Sequence, residues 1–419
     1  MVVRFTFLDR LDGGPSGFKG CFIFVSKRLL RLPVCVISQS EMRISSLICL
    51  ACSLKPTMSL NGVARQVIGS VYGRGKTEAE MTTTTQNEIG YLPGVCYSPM
   101  HNPQYPLNGQ HSADGLDVAM NEDFNTMKKY FGYVRTYYSQ YYQFPIAPIA
   151  AAHGIRLFLG IYVTDEDWYK DQVEAAVQAV IKYPDTVACI LVGNENVAPY
   201  GPYRPMDIGS RIKALRSEVA ERAPGSRVQI GTVQRSAEWM DENIRSDMLA
   251  LAELCDIVGV NIYTFFDKNN KSPGSLEQLN SAWSKMSEIY PPSKLRLTEI
   301  GWPTAGSPSV VAPDNIPSLG NSVTFYSNFL NWKPPLPGKE AFWFMFFDRR
   351  SDDNTMNVDL EKFFGLFNPN RDRKQENYPI LRPRANTNIP KADVCVRPPD
   401  ISQLFGSEPT CRVVKRFLG

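Results

Sequence analysis

From Tyr91 onward the chain alternates short apolar runs with helix-length amphipathic stretches. The apolar runs predict strands over Leu92–Tyr97, Tyr133–Tyr137, Ile155–Val163, Val187–Val192, Val228–Val233, Ile257–Tyr263, Leu295–Thr298 and Ala341–Phe347. Between them, Trp168–Ile181, Pro205–Arg222, Ile244–Leu254 and Ser275–Ile289 carry helical periodicity. Continuous apolar runs separated by helices describe parallel strands buried on both faces. Repeats of roughly 25–45 residues suit a βα unit. Eight of them predict a (β/α)8 TIM barrel over residues 90–381. An open sheet with the strands in a row fits the same periodicity.

The flanks read differently. Residues 1–89 form a leader: 1–41 mix apolar stretches with Lys27, Arg28 and Arg31 without a clean period. At Met42 a basic residue, Arg43, precedes the largely apolar run Ile44–Leu54, the layout of a secretory signal. That run is shorter than the ~20 residues a membrane span needs. A secreted or cell-wall protein is the expectation, and Met42 is the expected start, with 1–41 an upstream extension. Gly73-Arg74-Gly75-Lys76-Thr77 mimics the end of a phosphate-binding loop. Ser70 stands where that motif needs its first glycine, and Glu78–Gln86 is polar and threonine-rich, so this is a linker. Residues 382–419 are Pro-rich and aperiodic, a tail in which a Cys395–Cys411 bridge is an open option.

Composition narrows the partners. A net charge of +3, with both signs interleaved, argues against nucleic acid or an anionic membrane. Of nine cysteines only Cys96, Cys189 and Cys255 fall in the domain, each beside an apolar run and so expected as small buried hydrophobes. Cys49 and Cys52 make one CxxC with no second pair, and His101, His111 and His153 lack ligand spacing, so no metal is expected. His153-Gly154 reads as a helix C-terminal cap. No G-x-S-x-G elbow is present.

In a (β/α)8 barrel the reactive groups gather at the C-terminal ends of the strands. Strand four ends in Gly193-Asn194-Glu195-Asn196 and strand seven in Glu299-Ile300-Gly301-Trp302-Pro303. One Asn-Glu dipeptide alone is weak evidence, since most are solvated loop residues. Two carboxylates on one barrel rim are what glycosidic cleavage needs: one protonates the leaving oxygen, the other supports the oxocarbenium-like carbon. Arg135 lies inside strand two, where an unpaired charge is expensive, so a rim carboxylate is its expected partner, with Glu299 a candidate. Tyr97, Tyr137, Tyr162, Phe265, Phe266, Trp302 and Phe347 fall near strand ends, where aromatic rings suit the apolar faces of a glucan and equally suit core packing. Thr164-Asp165-Glu166-Asp167 reads as helix-capping anions.

Gly94-Val95-Cys96-Tyr97, Val192-Gly193-Asn194-Glu195, Asn261-Ile262-Tyr263, Glu299-Ile300-Gly301-Trp302-Pro303 and Phe364-Gly365-Leu366-Phe367 occur in the order seen in glycoside hydrolase family 17. The chain resembles that family of β-1,3-glucanases and glucanosyltransferases over residues 90–370. The resemblance implies a retaining mechanism, with Glu195 as acid/base and Glu299 as nucleophile. In such enzymes the two carboxyl groups stand about 5–5.5 Å apart, with environments that push their pKa values apart. It further implies that Asn194 hydrogen-bonds the sugar 2-hydroxyl and that Tyr263 orients the nucleophile. Tyr97, Phe266, Trp302 and Arg135 complete the expected substrate-binding set. After Asp348 the family often shows an acidic pair and a Trp-Lys, whereas Arg349-Arg350-Ser351 follows here.

The expected activity is hydrolysis of β-1,3-glucan of the endo type through a covalent glycosyl-enzyme, by a monomer acting on polysaccharide without a cofactor. Transfer to another sugar hydroxyl uses the same site, and a catalytically silent glucan-binding barrel is the reading from a different class. An aldolase or phosphate-binding barrel would need a strand-end Lys or a Gly-rich loop after strands seven and eight, which the sequence lacks. If the chain is secreted, Asn270-Lys271-Ser272 is a sequon for N-glycosylation.

Overall fold

The eight apolar runs become eight parallel strands that close on themselves. They are β1 (Leu92–Cys96), β2 (Tyr133–Arg135), β3 (Arg156–Ile161), β4 (Val187–Asn194), β5 (Gln229–Arg235), β6 (Ile257–Asn261), β7 (Leu295–Ile300) and β8 (Glu340–Trp343). The ring is sealed where β8 pairs with β1, with Phe342 opposite Gly94. In this computed structural model the described residues are 92–374, except 109–111, 271, 335–338 and 356–357, together with two three-residue strands near the N-terminus. The chain divides into two units, Met1–Thr77 and Glu78–Gly419. In the first, Arg4–Thr6 pairs antiparallel with Phe22–Phe24. The expected signal from Met42, the linker, the Pro-rich tail and the Cys395–Cys411 bridge lie outside the described residues.

Helices α1 (Leu116–Met127), α2 (Ile146–Ala152), α3 (Tyr169–Lys182), α4 (Pro205–Arg222), α5 (Ser236–Met240), α6 (Arg245–Leu254), α7 (Glu277–Ile289) and α8 (Leu319–Leu330) follow β1 to β7, β5 being followed by two of them. Their starts follow ordinary capping chemistry. Pro205 occupies the first turn of α4 while Asp207 accepts from the Arg204 backbone, and the Ser318 side chain accepts from Asn321 N–H at the start of α8. His153 caps the end of α2, as its sequence position predicts. The Thr164–Asp167 anions do not cap α3. Trp168 holds that position, Asp165 pairs with Arg211 at 2.6 Å, and Glu166 accepts from the Trp168 indole at 2.7 Å.

Strand alternation divides the side chains between barrel interior and helix layer. Inside, Phe158 meets Phe342 at 4.8 Å between ring centroids. Gly94 makes room for them, since a Cβ there would lie 2.5 Å from the Phe342 ring. Cys96, Cys189 and Cys255 are buried and free. The ladders slip at three places on the rim: between Leu191 and Asn194, between Val260 and Asn261, and between Leu297 and Ile300. Such bulges re-aim side chains beside active sites, and these flank Asn194, Asn261 and Glu299. The Asn270 side chain is shut inside the fold, both of its polar atoms lacking a hydrogen-bond partner. The sequon there is therefore closed to a glycan in the folded protein.

Candidate active site

Glu299 reaches the rim from β7 and is held from two sides. Arg135, at the end of β2, donates to Oε1 at 2.6 Å, Tyr137 donates to the same oxygen at 2.8 Å, and Tyr263 donates to Oε2 at 2.6 Å. Arg135 is 1% exposed and also donates to the Thr298 carbonyl at 3.0 Å and to Asn194 Oδ1 at 2.6 Å. The charge inside strand two thus has the partner the sequence required. Arg135 belongs behind the carboxylate and not in contact with substrate, which corrects its place in the expected binding set. Three donors on two oxygens fix the orientation of Glu299 as an attacking group would need.

Glu195 follows β4 through a sharp turn in which Gly193 has φ +77° and Glu195 itself φ +54°. A Cβ on residue 193 would lie 2.5 Å from Asn196 Oδ1, so this position requires glycine. A glutamate held in the left-handed region is uncommon and costs backbone energy, a pattern that clusters at functional sites. Its Oε1 accepts from Asn261 Nδ2 at 2.7 Å, and its Oε2 pairs with Arg235 at 2.8 Å. Burial is the main force on its titration, followed by the nearby Glu299; Arg235 and Asn261 pull the other way. The net effect pushes the Glu195 carboxyl up to about 7.

This shift has a stability consequence. A carboxyl raised from 4.5 to about 7 is charged in the unfolded chain at a pH where the fold still prefers it neutral. The penalty is absent below pH 4.5, grows through the interval, and is complete above pH 7. Glu195→Gln is therefore expected to stabilise the protein by about 3 kcal/mol at pH 8 and by almost nothing at pH 4. Thermal unfolding at both pH values checks this; an equal change at the two would refute it.

The two glutamates line one cleft of about 930 Å³, together with Asn194, Tyr137, Tyr263 and Phe266. Of the expected binding set, Asn194, Tyr263 and Phe266 thus line this cleft. Tyr97 and Trp302 do not. Tyr97 is fully buried against α1, donating to Asp123 at 2.7 Å and meeting Phe124 edge-on. Trp302 is fully buried between Phe265 and Phe325, its indole donating to the Ile316 carbonyl at 3.1 Å. Neither can touch a ligand in the cleft. Asp348 is turned away too, accepting from Gly365 N–H and Lys374 Nζ, both at 2.7 Å.

Sequence reasoning missed Asn261, Arg235 and Glu361, all of which line the cleft. Asn261 was visible as the residue before Ile262-Tyr263 at a strand end, and Arg235 as a charge just past the fifth apolar run. Glu361 sits in a short 3-10 turn whose approach to the barrel has no local sequence signature. In the substituted loop, Arg349 pairs with Asp353 at 2.8 Å, and Arg350 donates to the carbonyls of Asn102, Pro103 and Tyr105. Arg350 thus fastens the loop after β8 to the loop after β1, while Arg349 braces the β8 loop on itself. Among the described residues no group of His, Cys, Asp or Glu could hold a metal ion, and no helix is long and apolar enough to cross a membrane.

Residues 94–365 match the BtgE/BtgC glycoside hydrolase domain. The chain belongs to this family. Among curated relatives of this glycoside hydrolase, a "Glucan 1,3-beta-glucosidase" of Arthroderma benhamiae is 27% identical over 60% of the chain and 82% of its own length. A "Probable beta-glucosidase btgE" of Aspergillus terreus is 28% identical over 62% of the chain, which spans 46% of that longer protein. Two solved structures share the barrel. An endo-laminarinase from Formosa superimposes with a TM-score of 0.54 at 16% identity, covering 68% of the chain and 86% of its own. A glycoside hydrolase family 17 β-1,3-glucanosyltransferase from Rhizomucor miehei does so with 0.51 at 18%, covering 71% and 99%. At these identities the superpositions speak for the fold alone.

Proposed function

We propose that this glycoside hydrolase cleaves β-1,3-glucan outside the cell or in the cell wall, with retention of anomeric configuration. The observation that carries the mechanism is the unequal treatment of two carboxyl groups in one cleft. Glu195 holds a proton up to about pH 7, while Glu299 is gripped by three donors. In the first step an oxygen of Glu299 attacks the anomeric carbon, the glycosidic C–O bond breaks, and the Glu195 proton passes to the departing oxygen. In the second, Glu195 takes a proton from water, whose oxygen attacks the same carbon and releases Glu299. Asn194, its Oδ1 occupied by Arg135 and Asn261, has its amide N–H left to meet a sugar hydroxyl.

A polymer is the substrate the surroundings favour. Beyond Tyr105, Tyr138 and Tyr142 the cleft adjoins a cavity of about 400 Å³, and beyond Ser236, Tyr263 and Phe266 one of about 490 Å³. A chain of sugars needs such a run of space, and a single glucose does not. The linkage rests on the resemblance to β-1,3-glucanases and on the Arthroderma relative. The test is incubation with linear β-1,3-glucan, following product size by chromatography and the first-formed anomer by proton NMR. Release of short oligosaccharides in the β configuration is expected. First-formed α product would overturn retention, and products longer than the substrate would assign transfer in place of hydrolysis.

A further inference from the structure

Glu195 is not alone on its side of the cleft. Arg235, the last residue of β5, spans two carboxylates: Nη2 is 2.8 Å from Glu195 Oε2 and Nη1 is 2.7 Å from Glu238 Oε1. Arg235 is partly exposed on the cleft wall, whereas the Glu238 side chain is 0% exposed. The other Glu238 oxygen is buried without a hydrogen-bond partner. A carboxylate so enclosed is costly to keep, and the guanidinium is the partner that offsets that cost. Its platform is rigid. The neighbouring Trp239 is fully buried, its indole donates to the Gly259 carbonyl at 2.8 Å, and its own carbonyl accepts from Tyr290 OH at 2.6 Å.

The geometry points to Arg235 and Glu238 as a positioning dyad that sets the protonation of the acid/base Glu195, with Arg235 favouring its carboxylate and Glu238 restraining Arg235. The inference rests on Glu195 being the acid/base. A guanidinium on Oε2 suits the second step, in which Glu195 must be an anion ready to take a proton. Unopposed, the same cation would strip the first step of its acid. Glu238 holds Arg235 at one end and neutralises part of its charge, so that the proton can still be kept. The other charged and titratable groups around the pair act consistently. Glu299 on β7 opposes ionisation of Glu195, and Arg135 on β2, with Tyr137 and Tyr263, is committed to Glu299. Asn261 on β6 is neutral, and Tyr200 offers Arg235 only its ring face, at 5.8 Å. The balance leaves Glu195 pushed up to about 7 in spite of the arginine.

The two members should therefore move Glu195 in opposite directions. Carbon-13 NMR of carboxyl-labelled glutamate, with Glu195 assigned by loss of its signal in Glu195→Gln, reads its titration without any substrate. Arg235→Gln is expected to raise the midpoint by about one pH unit and Glu238→Gln to lower it by about one, with Arg235→Lys close to wild type. The basic limb of kcat/KM on linear β-1,3-glucan should shift by the same amounts and signs. Shifts of one sign in both variants, or no shift with only a loss of thermal stability, would overturn the dyad. If Glu238→Gln fails to fold, Arg235→Gln against Arg235→Lys still decides: the dyad requires the midpoint to follow the charge. Opposite NMR shifts in a protein without glucan hydrolysis would uphold the dyad's electrostatics while removing the glucanase reading.

Discussion

Glu299→Gln should lower kcat/KM on β-1,3-glucan by at least ~10⁴-fold, the scale on which removal of an enzymic nucleophile is felt. The amide has nearly the shape of the carboxylate but cannot form the glycosyl ester. The loss should therefore come without gross unfolding. Glu299→Ala should be equally inactive and also less stable. Both variants remove the anion facing Arg135, which is 1% exposed, but glutamine keeps an amide oxygen to accept from it, whereas alanine leaves the guanidinium and the Tyr137 and Tyr263 hydroxyls without the acceptor they share. Breaking a buried pair in this way costs about 3–5 kcal/mol. Added azide discriminates further, because in the alanine variant it has space to attack from the vacated face and yields the α-glycosyl azide. Thermal melts separate the two variants, and product analysis with azide identifies the role. If Glu299→Gln keeps more than a tenth of wild-type kcat/KM, Glu299 is not the nucleophile.

Much of this site was legible because strand periodicity turns a linear sequence into a rim. All eight apolar runs became barrel strands, although β2 stops at Arg135 and β8 at Trp343, short of the predicted Tyr137 and Phe347. The excess lies where the ladder ends and apolar residues continue as packed loop, which hydropathy cannot distinguish. Alternation explains which rim residues face the cleft. Cys96 donates toward the Thr298 carbonyl inside the barrel, so the next residue, Tyr97, points outward to α1. Arg135 and Tyr137, two apart, both reach Glu299. Being near a strand end is thus insufficient; the side chain must also have the parity that turns it inward. Bulges break that parity at Asn194, Asn261 and Glu299, which is why the sequence could name Asn194 and Glu299 from motifs but not deduce Asn261 as the partner of Glu195. Arg235 and Glu238 stand three residues apart at the start of α5, a local pair; what the sequence does not carry is the tertiary approach that brings Arg235 to Glu195.

Glu195→Ala is expected to fail selectively, and the selectivity is the test. With a glucan leaving group, a poor alkoxide that must be protonated as it departs, kcat/KM should fall by about 10²–10⁴-fold. With a dinitrophenyl β-glucoside or laminaribioside the leaving group needs no proton, so kcat/KM, which reports only the first step, should stay within about tenfold of wild type. The second step still lacks its base, so kcat on that substrate should drop and a glycosyl-enzyme should accumulate, detectable as a burst of dinitrophenol. Azide, an anion that needs no deprotonation, should restore kcat and give the β-glycosyl azide. The basic limb near pH 7 expected from the Glu195 carboxyl in the wild type should vanish from the variant's profile, because the group that titrates there is gone. Equal losses on both leaving groups would mean that Glu195 shapes the cleft without handling the proton. Rescue by azide with the β product would leave no other carboxyl to do so on that face, since Glu299 would already be bound to the sugar.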